Sequence, residues 1–412
     1  MVSERRPPRV LVIDEEFAVR PDTGKRQRTL HLLRGRFPRY RVTYLAFVGD
    51  DAEEREARDF YEPLGVEVVT VRRPRVYKKG AMQTLTALKV LGRREPASVA
   101  AYRSRAFLDA VSRQLADRSY DLIHCEITQM SWAVPFGCGV PSVLDAHNVE
   151  SVIWQRLAAV SGPVRRLVFS SQAAKMAAFE RGVLPRFDHV VCVSEADRDS
   201  MRRGYRDGPI DVIANGACLD EPVLPPRRGG APVILFPGSL NWRPGQDAAQ
   251  HLVAEVMPEL RLACPGVRCL LVGKGPPQWL HDLCAKTTDV ECHADVPSMT
   301  PYFEQADLVV VPLRVGSGSR LKILEAFAMG RPVVSTPVGA EGLAVRDGVH
   351  LDLAAPGAPF AAAVRDLLLD GARRERYIRS GRRYVEEHHA WSRLGDDLDA
   401  VWQRLIGGAA RD

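Results

Sequence analysis

The stretch that decides the fold is DLVVVPLRVGSGSRLKILEAFAMGRPVVS, Asp307 to Ser335. It opens on a short unbroken apolar run, Leu308 to Val311. That run is β-branched and brief, as suits a strand buried on both faces. Gly316, Ser317 and Gly318 follow, where the backbone turns and a ligand can approach it closely. A helical pattern runs from Leu321 to Met329, and Pro332-Val-Val-Ser335 is a second apolar strand. Strand, glycine loop, helix and strand make a βαβ unit, hence a parallel sheet. Such sheets bind ligands beyond the carboxyl ends of their strands. The helix start lies there, with free N–H groups and a positive dipole end. Arg320 and Lys322 add full charges, so Gly316, Ser317, Gly318, Arg320 and Lys322 together read as a pyrophosphate site. Glu325, about one turn further on, is placed to accept two hydrogen bonds from a ribose diol.

The same rhythm extends outward. Strands are expected at Val233–Phe236 and Arg268–Val272, with a helix from about Gln246 to Cys264 between them. Later helices are expected over about 359–369, 372–387 and 391–405. Upstream, strands at 9–14, 40–47, 66–71, 121–124, 142–145, 188–194 and 210–213 alternate with helical segments such as 24–35 and 51–62. Residues 223–231 are rich in proline, arginine and glycine, the chemistry of a linker. The fold class is therefore α/β, with two doubly wound parallel-sheet (Rossmann-like) domains facing a central cleft. The domains are expected over 1–222 and 232–387, with a C-terminal segment at 388–412. Each half would hold one of two substrates.

Composition agrees. The chain has 412 residues, 46% hydrophobic and 26% charged, which excludes a disordered chain, a collagen-like repeat and a small disulfide scaffold. No run approaches the ~18 apolar residues of a membrane span, and Met1 to Arg9 lacks a signal-peptide core. A cytoplasmic protein is expected. The eight cysteines include no C-x-x-C pair and read as reduced thiols. The net charge of +6 sits in residues 1–222, with 35 Lys and Arg against 29 Asp and Glu. Within them, Arg72 to Arg94 holds eight basic residues and no acid. That segment is either a solvated face or suited to an anionic membrane surface, peripheral at the inner face, or an anionic acceptor.

Further candidates sit at other strand ends. Gly238 permits close approach and Arg243 is placed to meet a phosphate, while Gly273 opens a third loop on the same edge. In the N-terminal half Gly24 opens a helix whose amides suit an anion, with Lys25, Arg26 and Arg28 as helpers. Glu126 and His147 end two strands, where a histidine or carboxylate positions or deprotonates an acceptor hydroxyl. His124 reads as a core residue. The P-loop, G-x-S-x-G, H-E-x-x-H and G-x-G-x-x-G patterns are all absent, which argues against a nicotinamide cofactor. The pair Asp197 and Asp199 falls in a helix start and does not read as a metal site.

At this point the sequence resembles the family-four group of retaining glycosyltransferases with the GT-B fold. The resemblance rests on Pro237–Trp242, Leu271–Pro276, Ala306–Leu313, and above all Gly316–Val334 with Val338–Gly342. Asp145-Ala-His-Asn-Val-Glu150 and Val193-Ser-Glu195 are similar to a sugar-transferase subgroup. The resemblance implies that Glu325, the second acid of a paired-glutamate motif, holds the donor ribose. It implies that Lys322 contacts the donor diphosphate, with Arg320 as helper and Gly24 near the donor phosphates. The last helix would cross back to the N-terminal domain. Three departures stand out. The first glutamate of the motif is Ser317, the usual Arg and Lys after Gly238 are absent, and Glu126 stands where a histidine is frequent.

The expected activity is retaining transfer of a hexose from a nucleoside-diphosphate sugar to a hydroxyl acceptor (a glycan, lipid or natural product), without metal or other cofactor and without nucleic acid. Alternatives are a nucleotide-sugar epimerase or hydrolase of the same fold, or a non-catalytic nucleotide-sugar-binding protein.

Overall fold

A computed structural model describes residues 6–74, 92, 94–159, 161–204, 207–227, 229–315 and 321–409. The chain forms two compact units. The first comprises Met1–Ala214 with Ser392–Asp412, and the second Asn215–Trp391.

The first unit is built on seven parallel strands in the order β3-β2-β1-β4-β5-β6-β7. They are β1 Arg9–Ile13, β2 Arg41–Val48, β3 Glu67–Arg72, β4 Leu122–Glu126, β5 Ser142–Ala146, β6 His189–Cys192 and β7 Ile210–Val212. Val10, Leu11, Val12 and Ile13 are fully buried. Their unbroken apolar run is what a central strand covered on both faces requires. The chain order reverses between β1 and β4, which opens a crevice at the carboxyl edge. The helix Trp391–Ala409 completes this unit. Its Leu394, Leu398, Val401 and Trp402 are buried. Tyr40 packs edge-on against Trp402, with centroids 5.1 Å apart, and its hydroxyl donates to Asp399 at 2.8 Å.

The second unit holds six parallel strands in the order β10-β9-β8-β11-β12-β13. They are β8 Val233–Ser239, β9 Arg268–Lys274, β10 Val290–Ala294, β11 Leu308–Val311, β12 Val333–Ser335 and β13 Asp352–Leu353. The helix Leu321–Ala328 connects β11 to β12, as the βαβ reading requires.

Several expectations change. The segment 223–231 is not a free linker. Leu224 is buried, its N–H donates to Met329 O at 3.2 Å, and Arg331 donates back to Leu224 O at 3.2 Å. Arg227 binds Asp307 at 2.7 Å. The division falls earlier, at Ala214, because Ala217 already bonds His389 O at 2.8 Å within the second unit. The expected helix from 246 to 264 is three pieces, Arg243–His251, a π-turn Leu252–Val256 and Met257–Ala263. Pro258 explains the break, since it lacks the N–H that would continue the ladder. Of the basic segment Arg72–Arg94, residues 75–91 and 93 lie outside the described residues. All eight cysteines are free thiols.

Candidate active site

In the second unit the site grows from two glycines. Gly238 on β8 and Gly273 on β9 are register partners. A Cβ on Gly273 would sit 1.5 Å from Gly238 O, so only glycine allows the two backbones to meet there. A Cβ on Gly238, whose φ is +156°, would sit 2.7 Å from Lys322 Nζ. The missing side chain is thus the space that the ammonium occupies. That ammonium also lies 4.7 Å from the centroid of the Phe236 ring, a cation–π contact.

Lys322 reaches this point because the helix Leu321–Ala328 buries its other face. Ile323, Leu324, Ala326 and Phe327 are core residues. Lys322 and Glu325 are half-buried and three positions apart, so they share one face. Glu325 lies close to Cys218, whose thiol is raised first by burial and then by the Asp220 and Glu325 charges. Arg243 is exposed at the first turn of its helix. Gly316, Ser317, Gly318 and Arg320 lie outside the described residues. Lys322, Gly238 and Gly273 are brought together, with Glu325 on the same helix face.

The first unit carries a denser polar cluster at the carboxyl edge of β1, β4 and β5. Gly24 starts the helix Gly24–Arg34, and Thr23 caps it by accepting from Arg26 N–H at 3.3 Å. The three basic neighbours are not free for an anion, which corrects their reading as helpers. Lys25 binds Asp14 at 2.7 Å, Arg26 binds Glu16 at 2.6 Å, and Arg28 binds Asp145 at 2.7 Å. Arg28 is buried and also donates to Ile213 O at 2.8 Å. A guanidinium survives burial only when its donors are matched in this way.

Glu126 is fully buried and its two oxygens are filled from three sides. His124 Nε2 lies 3.1 Å from Oε1, while His147 Nε2 and the Thr29 hydroxyl each lie 2.9 Å from Oε2. Burial raises its pKa, but the hydrogen bonds from His124 and His147 and the charge on His147 outweigh burial and hold it well below the usual carboxylate range. For His147 burial works downward, and Asp145, 3.6 Å away, with Glu126 reverses it to about 9. His147 is therefore an imidazolium at neutral pH. Of its two expected roles, positioning fits that charge and proton abstraction does not.

His124, Glu126 and Asp145 place donor atoms within 4.8 Å of one another, a spacing that a metal ion could use. Their lone pairs are already matched by the chain's own donors, Arg28 on Asp145 and His147 and Thr29 on Glu126. The cluster is closed by cations of the protein, so it does not fit a resident metal. Sequence reading overlooked Asp14 and the place of Trp402, whose indole N–H donates to His124 Nδ1 at 3.2 Å. Asp14 had a signal, an acid ending the first strand. Trp402 had none, because the contact spans 278 positions.

Comparison with known proteins bears on both units. Residues 231–370 match the family described as glycosyl transferases group 1, and residues 39–221 match glycosyltransferase family 4. A D-inositol 3-phosphate glycosyltransferase of Stackebrandtia nassauensis is 29% identical over 343 residues, which is 73% of this chain and 74% of that protein. Among solved structures, sucrose-phosphate synthase from Thermosynechococcus elongatus superposes with a TM-score of 0.73 at 16% identity, covering 97% of this chain and 100% of the other. The Anabaena protein HepE, solved with UDP-glucose, gives a TM-score of 0.66 at 15% identity over 96% and 99% of the two chains. At such identities the structures speak to the fold.

Proposed function

The chain belongs to the glycosyltransferases of the GT-B fold, with a family 4 domain followed by a group 1 domain, and we propose that it moves a sugar from a nucleoside-diphosphate sugar to a hydroxyl acceptor with retention of configuration. The donor belongs to the second unit. The observation that carries this is the seating of Lys322 Nζ over Gly238, with Glu325 on the same helix face. An ammonium held at the carboxyl edge of the sheet suits a diphosphate, and a carboxylate one turn on suits a ribose diol.

As the bond from sugar to diphosphate breaks, negative charge grows on the leaving group. Lys322, the amides at the start of its helix, and Arg320, two positions before Lys322 in the sequence, would stabilise that charge without requiring a metal. The acceptor hydroxyl would attack from the face the diphosphate leaves, its proton passing to a diphosphate oxygen. The acceptor belongs to the first unit, where His147 presents the exposed end of the Glu126 cluster. HepE, solved with UDP-glucose, lends the donor class support by analogy.

Glu325→Ala tests this reading. Losing two charge-assisted hydrogen bonds to the ribose should lower kcat/KM by roughly 100-fold or more, with thermal unfolding unchanged. Transfer at close to the wild-type rate would remove Glu325, and the donor site with it.

A further inference from the structure

A chain of hydrogen bonds runs from the last helix to the surface of the first unit. Trp402 Nε1 lies 3.2 Å from His124 Nδ1, His124 Nε2 lies 3.1 Å from Glu126 Oε1, and Glu126 Oε2 lies 2.9 Å from His147 Nε2. The Trp402 and His124 rings are 5.4 Å apart and inclined at 63°. Trp402, His124 and Glu126 are 0% exposed. Only the last member, His147, reaches the surface, with 9% of its side chain exposed.

The direction of the chain follows from chemistry. An indole N–H can only donate. His124 Nδ1 must therefore carry a lone pair, and the ring's proton sits on Nε2, an assignment made from the hydrogen-bond network. His124 then donates to Glu126. Without the indole, His124 Nδ1 loses its partner and the ring is free to turn, which loosens its hydrogen bond to that carboxylate. Glu126 in turn accepts from His147 Nε2, which leaves Nδ1–H as that ring's remaining donor.

We propose that Trp402 is a positioning residue for sugar transfer: through the His124 ring it orients and through Glu126, it holds His147 so that its Nδ1–H binds an oxygen of the hydroxyl acceptor. This rests on the reading that the first unit takes the acceptor. Second-partner contacts of this kind fix ring tautomer and orientation at a distance from the chemistry. The charged and titratable groups around the His147 ring are Glu126 and His124 from β4, Asp145 from β5, and Arg28 from the helix Gly24–Arg34. Asp14 and Lys25 lie near enough to Glu126 to feel its charge.

The test compares Trp402→Phe, His124→Gln and His124→Leu with the wild type, using steady-state kinetics for donor and acceptor separately and a pH profile. Trp402→Phe removes the N–H and keeps an aromatic ring. It is expected to lower kcat/KM for the acceptor about 10-fold or more, leave the donor KM unchanged and shift the alkaline limb to lower pH. His124→Leu should do the same. His124→Gln, which keeps an acceptor for the indole and a donor for Glu126, should recover most of that loss. Nitrogen NMR of labelled histidine gives a readout that does not depend on turnover, with His124 protonated at Nε2 alone in the wild type. The relay is overturned if Trp402→Phe loses only stability, with both KM values and the alkaline limb unmoved, or if His124→Leu and His124→Gln behave alike. A rise in donor KM with the acceptor KM unchanged would overturn the assignment of the acceptor to this unit as well. The Glu325 experiment stands apart from either result, since it concerns the other unit.

Discussion

His147 shows how a residue's neighbours decide its use. A histidine at a strand end was legible in the sequence as a candidate, and so was Glu126. Their charges were not, because that of His147 depends on Asp145 and Glu126 and that of Glu126 on His124 and His147, and His147 lies 21 positions from Glu126. A consequence follows for stability. The His147 pKa is raised to about 9 in the folded protein, above the ~6.5 of an unfolded chain. The folded state therefore gains from His147 fully below about pH 6.5, and the gain fades as pH rises through about 9. Thermal unfolding of wild type and His147→Gln should differ most at pH 6 and converge near pH 9.5. A difference that stays constant over that range would mean that His147 holds no extra proton in the fold.

Among elements, the strands with unbroken apolar runs were the easiest to read. β1 and β11 match their sequence ranges within a residue or two. β10 escaped notice because Glu291 and His293 interrupt it, and an edge strand tolerates such residues. The helix broken at its π-turn escaped because periodicity cannot register the single N–H missing at Pro258. The glycines at the ends of β8 and β9 were legible as close-approach points, but the partner approached was not. For Gly273 it is the carbonyl of Gly238. Gly273→Ala should force those strand ends apart, lowering Tm by several degrees and weakening donor binding together with it. An alanine variant with wild-type Tm and donor affinity would show that the two backbones can separate without cost.

At the scale of the molecule, the repeated βα rhythm carried the class of fold, and Rossmann-like sheets are present in both units. The point where the chain passes from one unit to the next was less legible. Proline and glycine marked 223–231 as a loop, yet Leu224 and Arg227 are held by Met329, Arg331 and Asp307. Composition reports backbone freedom and is silent about such long-range partners. The final helix was legible by its amphipathic pattern, while its assignment to the first unit rests on Trp402 and Asp399 finding partners there.

The account turns on Lys322 and Glu325 forming the grip on a sugar nucleotide. The most direct measurement is thermal unfolding of the full chain against a panel of nucleoside diphosphates and their sugars, for the wild type, Lys322→Ala and Glu325→Ala. A ligand that binds only the native state raises Tm with concentration. At least one nucleoside-diphosphate sugar should stabilise the wild type, and both variants should lose that shift while unfolding normally without ligand. A panel that leaves the wild type unmoved, or variants that respond as the wild type does, would contradict the account.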